Sequence, residues 1–138
     1  MKQEVGGLVL RLTLGVIFFF HGFAKFQGGI ENTVGMFADL GLPGFLAYVV
    51  AFTELIGGVA LILGLGTRIV SALLAIIMVV AIIKVKLANG LLGGGQAAGF
   101  EFDLALFAMS IYLLLNGNKL WAVDQILSRE SDVQKSAA

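Results

Sequence analysis

Four stretches of this chain are long and apolar enough to cross a lipid bilayer as helices, and that constrains its fold more than any other feature. A hydrocarbon core of about 30 Å takes roughly 20 predominantly apolar residues in helical form. Such windows run from about Gly6 to Phe26, from Gly44 to Leu65, from Gly66 to about Ala88, and from about Gly99 to Leu115. Transmembrane strands would be about 10 residues long with strict alternation, and nothing here alternates. The expected fold class is all-α, an integral membrane four-helix bundle over residues 1–128. A polar tail over 129–138 follows, expected to be disordered from Ser131 onward.

Composition narrows the function. Charged residues make up 13% of the chain, against about a quarter in ordinary soluble domains. Nine basic and nine acidic groups cancel, which excludes a nucleic-acid binder, since that needs a basic excess. An apolar content of 59% excludes a disordered chain. The absence of cysteine excludes a disulfide scaffold, a dithiol redox centre and a thiolate metal site.

The first window follows Lys2 and so has the outline of a secretory signal. It is too long for one, carries Arg11 inside it and ends in Lys25-Phe26, so it is expected to be retained. Orientation follows from Lys and Arg in the short flanks. With the N-terminus inside, Lys2, Arg11, Arg68, Lys119, Arg129 and Lys135 fall on the inner side and Lys25, Lys84 and Lys86 on the outer. The expectation is a multi-pass membrane protein with both termini in the cytoplasm, its first partner the lipid bilayer.

Connections add detail. Val34, Phe37, Ala38 and Leu40 lie at near-helical spacing within Glu31–Gly41, which predicts a short helix on the outer surface. Gly64-Leu65-Gly66-Thr67-Arg68 predicts a tight turn between antiparallel neighbours, and the five glycines of Asn89–Gly99 predict a flexible outer loop. Gly93-x-Gly95-x-x-Ala98 matches a dinucleotide fingerprint only nominally, because that motif needs a strand before it and a helix after it. Leu120, Val123, Ile126 and Leu127 form an apolar stripe beside Trp121, the pattern of an interfacial helix with an aromatic anchor.

Ionisable groups inside a span are costly and usually face the bundle. Arg11, Gly15, Phe18, Gly22 and Lys25 share one stripe of the first span, with His21 on its flank. Glu54, Gly57, Gly58, Leu61 and Leu65 form a matching stripe on the second. The two spans are therefore expected to pack glycine face to glycine face, with Glu54 beside basic residues of the first. Arg11 and His21 compete as its partner, each about 7 Å from mid-span. Farther out, Lys84 and Lys86 are two residues apart, as are Glu101 and Asp103, so one of each pair faces inward; Lys84 and Glu101 are the expected two, with Lys86 snorkelling outward. The functional reading is a polar pocket open to the outer leaflet and walled by Phe18, Phe19 and Phe23, a setting for a small aromatic or quinone-like molecule. The structural alternative is a set of salt bridges that fix helix register. His21 is the single histidine, so a haem ligated within one protomer and a metal site both lack ligands.

Arg11-x-x-x-Gly15 with Phe19, Gly22 and Lys25, then Glu54-Leu55-Ile56-Gly57-Gly58, then Gly64-x-Gly66-Thr67-Arg68, resembles the DoxX family of small bacterial four-helix membrane proteins. The likeness runs through Ala81, Asn89-Gly90 and Glu101 and ends near Gly117 and Asp124, while Asn116-Gly117-Asn118-Lys119 stands where the family often has Gly-Pro-Gly. The resemblance implies kinship with the membrane subunit of thiosulfate:quinone oxidoreductases and with proteins linked to detoxification of electrophiles and oxidative stress. The matching positions are Arg11, Gly22, Lys25, Glu54, Gly57, Arg68 and Glu101.

These readings converge on a membrane protein linked to quinone or aromatic redox chemistry. His21 and Glu54 are the expected proton-handling pair. Arg11, Lys25, Phe18, Phe19, Phe23, Lys84 and Glu101 are the expected ligand-binding set. No cofactor is built into the chain, and a quinone is the expected diffusible one. The alternatives are a non-enzymatic scaffold subunit of an oxidoreductase complex, acting with a partner subunit or as a homo-oligomer, and a small carrier for aromatic compounds.

Overall fold

The computed structural model describes residues 1–137 and is helical nearly throughout. Helix α1 runs Lys2–Gln27, α2 Ile30–Asp39, α3 Phe45–Leu63, α4 Thr67–Ala81, α5 Glu101–Asn116 and α6 Val123–Ser136. A π-helical turn, Ile82–Lys86, and a 3₁₀ turn, Leu87–Asn89, prolong α4. Helix α1, helix α3 and α4 with its extension are long and apolar enough to span a membrane. The expected fourth span is present as α5, but its 16 residues reach only about 24 Å, short of a bilayer core. Gly117, at φ 66°, ends it.

Each of the four long helices buries one stripe and leaves apolar side chains on the other, the pattern of a bundle solvated by lipid. Leu14, Phe18, Leu61, Leu74, Met78, Leu106 and Leu113 form the central cluster. Helix α1 packs mainly on α3, and α4 mainly on α5, with lighter seams at α3–α4 and α1–α5. The α1–α3 contact is the glycine-to-glycine interface the sequence predicts. A Cβ on Gly22 would lie 2.5 Å from the Leu55 amide nitrogen, and one on Gly58 would lie 2.5 Å from that of Phe19. Backbones this close leave room for hydrogen only, which is why both positions are glycine. Gly57, one residue earlier, faces Val70 of α4 instead.

The start of α1 and the α5–α6 connection lie at one end of the bundle, where the Asn118 side-chain amide donates to the Glu4 carbonyl at 2.8 Å. Asp124 closes the α3–α4 turn there. Its carboxylate accepts from the Gly66 amide at 2.8 Å, and its own amide donates to the Gly64 carbonyl at 3.2 Å. At the far end, α2 is the expected short helix.

Two expectations about loops and tail are corrected. The Gly-rich stretch is an ordered antiparallel hairpin, Gly93 paired with Ala98 and Gly94 with Ala97. Gly90, Gly93 and Gly95 supply the positive φ angles, and the Asn89 side chain donates to the Ala98 carbonyl at 3.0 Å. The tail expected to be disordered is helical as far as Ser136. Residues 123–136 contain neither Gly nor Pro, so nothing stops the helix once it starts. The boundary drawn between residues 128 and 129 falls inside α6, and Ala138 lies outside the described residues.

Candidate functional site

Four of the charged residues in the apolar windows form two ion pairs. Lys25 Nζ of α1 sits 2.5 Å from Glu54 Oε2 of α3, and Lys86 Nζ of the π turn sits 2.6 Å from Asp103 Oδ2 of α5. Each pair crosses between the two helices of a tightly packed couple. In both, the carboxylate is nearly covered and the lysine is about a quarter exposed.

Glu54 therefore pairs with neither of the residues that competed for it. On a helix each Cα–Cβ bond leans toward the N-terminus. Lys25, two residues from the end of α1, leans back toward mid-span, while Glu54 on antiparallel α3 leans outward to meet it. Arg11 leans the other way. It is fully buried at the terminal end, where Nη1 donates to the Asn118 carbonyl at 3.3 Å and Nη2 to those of Leu120 and Trp121 at 3.0 and 3.2 Å. It clasps the α5–α6 connection, including Trp121 at φ 50°, and is not part of a site with Glu54.

The inward members of the outer pairs are also reversed. Lys86 and Asp103 face inward, while Lys84 and Glu101 are exposed. The π turn at 82–86 advances each residue by less than the α-helical 100°, which rotates the two lysines relative to an α-helical extrapolation. Glu101 is the first residue of α5, whereas Asp103 heads the buried stripe Leu106, Ser110 and Leu113. That spacing of three, four and three was readable in the sequence and identifies Asp103.

His21 is exposed on α1 and stacks on Phe102 of α5, ring centroids 6.0 Å apart and planes at 23°. Beside it a groove of about 530 Å³ opens between the end of α1 and the start of α2, lined by Phe20, His21, Ala24, Lys25, Gly28, Gly29, Asn32 and Thr33. The aromatic wall differs from the expected one. Phe18 belongs to the central cluster, and Phe19 and Phe23 stack on each other at 6.1 Å away from the groove lining. Phe20 takes the place expected for them. Three consecutive phenylalanines on a helix point three ways, and only the position of α2 decides which one borders a cavity.

The groove offers Lys25 as its one charged lining residue, with the imidazole of His21 and the hydroxyl of Thr33. Glu54 stands behind Lys25 and orients its ammonium. No group of histidines or carboxylates among the described residues is arranged to hold a metal. Among the described residues, four buried side-chain polar atoms lack a protein partner: Arg11 Nε, Thr67 Oγ1, Ser71 Oγ and Asn118 Oδ1. They belong to the terminal half of the bundle, remote in sequence from the groove.

Comparison with known proteins fits this architecture. The sequence model described as DoxX matches residues 6–87. A Bacillus subtilis protein named "Putative oxidoreductase CatD" is 48% identical over 121 residues, covering 88% of this chain and 86% of that protein. An uncharacterised membrane protein of Mycobacterium tuberculosis is 32% identical over 134 residues, covering 90% and 82% respectively. The inner membrane protein YqjF of Escherichia coli is 24% identical over 130 residues, covering 93% and 96%. No solved structure matches the chain.

Proposed function

This chain belongs to the DoxX family of membrane proteins, and from that premise we propose that it serves quinone-linked or aromatic redox chemistry, including defence against electrophiles and oxidative stress. The observation that carries the reading is the Lys25–Glu54 ion pair opening onto the α1–α2 groove beside His21. An isolated ion pair within a membrane is retained at a cost, and such groups mark ligand or proton sites more often than not. The setting we propose is the bacterial cytoplasmic membrane, with both termini in the cytoplasm and the groove on the opposite side. A soluble oxidoreductase partner, or a second copy of the chain, would complete the electron path.

The residues suit a quinone-like ring. A groove of about 530 Å³ falls within the roughly 300–1,000 Å³ of small-molecule sites. Phe20 supplies an aromatic wall, and Lys25 and Thr33 supply donors to ring oxygens. A bound quinone brings the electron-accepting ring, which nothing in the chain supplies. Lys25 holds a positive charge where oxygen gains negative charge, Glu54 keeps that ammonium in place, and His21 carries or takes a proton at the mouth. Arg11, Phe18, Lys84 and Glu101 have no part in this arrangement, because they lie at the other end, in the core or on the outer surface.

The experiment replaces Lys25 with Met, His21 with Gln and Glu54 with Gln in the purified, folded protein. It then measures quinone binding in nanodiscs and cellular tolerance of added quinone. Loss of binding in the Lys25 variant and loss of tolerance in all three support the reading. Unchanged binding and tolerance leave the pair with a structural role only.

A further inference from the structure

Arg11 is fully buried and enters neither ion pair. A charge at that depth is costly, and the three carbonyls that its Nη atoms reach leave Nε without a protein partner. Asn118 Oδ1, Thr67 Oγ1 and Ser71 Oγ are in the same condition, and contacts tie all four to one end of the bundle. Arg11 Nη1 donates to the Asn118 carbonyl, so Nε and Oδ1 belong to touching residues. Arg11 also lies against Gly64, where a Cβ would meet Nη1, and Gly64 opens the turn that sets Thr67 at the head of α4. Ser71 follows Thr67 on the same buried stripe, about 6 Å along the axis. Ser110 of α5 is equally buried but donates to the Leu106 carbonyl of its own helix at 2.8 Å, a bond that Ser71 does not make.

The kinds of atom identify what these groups bind. Nε only donates, a side-chain amide oxygen only accepts, and the two hydroxyls do either. The Asn118 amide nitrogen donates to the Glu4 carbonyl, which leaves Oδ1 as the end that needs a donor. An anion would satisfy Nε and repel Oδ1, and a cation would do the reverse. The carboxylates of Glu4 and Asp124, held at this same end, already offset the guanidinium charge. Water both donates and accepts, and it is the ordinary partner of buried polar groups that lack one.

We propose that this end of the bundle is an internal water-binding site, in which one water bridges Arg11 Nε to Asn118 Oδ1 and another bridges Thr67 Oγ1 to Ser71 Oγ. Thr67 and Asn118 keep slight exposure while Arg11 and Ser71 have none, so water enters beside the α3–α4 turn and the α5–α6 connection. It stops at Leu74, the next buried residue of α4, which joins Leu14, Leu61 and Leu113 in the apolar cluster. The site keeps Arg11 charged at membrane depth with no carboxylate in contact. It is independent of the groove at the far end.

Two measurements on the full chain in phosphatidylcholine nanodiscs test this. The first compares unfolding midpoints of Thr67→Val, Ser71→Ala and the double variant. With a shared water, each single change lowers the midpoint by a few degrees and the second change adds little to the first. Without it, removing a buried hydroxyl that has no partner leaves the midpoint unchanged or raises it, and that result overturns the site. A midpoint that rises when chloride replaces gluconate at constant ionic strength assigns the site to an anion and overturns the water. The second is X-ray hydroxyl-radical labelling of the parent protein in oxygen-18 water, mapped by mass spectrometry. The expected result is label on Leu74 and none on Met78, the next buried turn of α4, although a thioether is readily oxidised. No label on Leu74 overturns the site, and label on both residues overturns its confinement to this end.

Discussion

Lys25 of α1 lies 2.5 Å from the carboxylate of Glu54, twenty-nine residues later on α3, and this ion pair links the two helices that meet glycine against backbone. The contact and the pair have one cause. Glycines at 15, 22 and 58 bring α1 and α3 close enough for a lysine near one helix end to reach a carboxylate in the middle of the other.

The two members of that pair differ in what they do when abandoned. Lys25 is 22% exposed and can swing toward headgroups, whereas Glu54 is 4% exposed and has no alternative donor. Lys25→Met should therefore cost more, about 3–5 kcal/mol, than Glu54→Gln, which keeps an acceptor and should cost about 1–2 kcal/mol. The double variant should recover part of the Lys25→Met loss. Thermal unfolding of all four proteins in one detergent gives the cycle, and an equal cost for the two single changes would contradict this account.

Lys86 and Asp103 carry the second link, and their neighbours in sequence do not. Asp103→Asn should lower stability by about 1–3 kcal/mol, while Glu101→Gln and Lys84→Gln should stay within about 0.5 kcal/mol of the parent. The same unfolding assay checks both. A cost at Lys84 equal to that at Lys86 would mean the π turn does not set the register.

Glycine positions on α1 divide sharply by what faces them. A side chain on Gly22 meets the backbone of α3, whereas one on Gly6 meets open space. Gly22→Ala should destabilise by about 1–3 kcal/mol or more. Gly6→Ala should be neutral or stabilise by about 0.5–1 kcal/mol, because it removes only unfolded-state freedom within a helix. Unfolding midpoints for the two variants decide the point.

Arg11 satisfies three carbonyls of the α5–α6 connection with a forked guanidinium. A lysine at this position has one nitrogen and cannot reach all three. Arg11→Lys should therefore speed hydrogen exchange of amides 117–124 well before it affects α3. The expected loss is about 1–3 kcal/mol of local stability from carbonyls left without a donor. Unchanged exchange in that segment would show that the connection is held by Asp124 and Asn118 alone.

Much of this fold is written in local pattern. The apolar windows, the turn at Gly64–Arg68, the surface helix at 30–39 and the glycine faces of α1 and α3 all follow from helical periodicity and from residues that cannot be replaced at close contact. The acid–base pairing was not legible by depth alone. Counting rises along each helix put Arg11 and His21 each about 7 Å from mid-span, within side-chain reach of Glu54, but it ignored the lean of the side chains, which carries Arg11 away and brings Lys25 in. Lys86 was hidden for a different reason, because a π turn breaks the rule by which faces are counted. Asp103 was visible in its spacing to Leu106, Ser110 and Leu113.

The sequence by itself determined that this chain is a helical membrane protein, which of its helices touch through glycine, and which charges lie at membrane depth. Those properties depend on composition and on a period of 3.6, and both are local. The tertiary structure decided which charge meets which, which of three adjacent phenylalanines borders a groove, and that the buried arginine braces the terminal end. Each of these depends on where a second helix lies, and a side chain has no partner until two helices have been set in register.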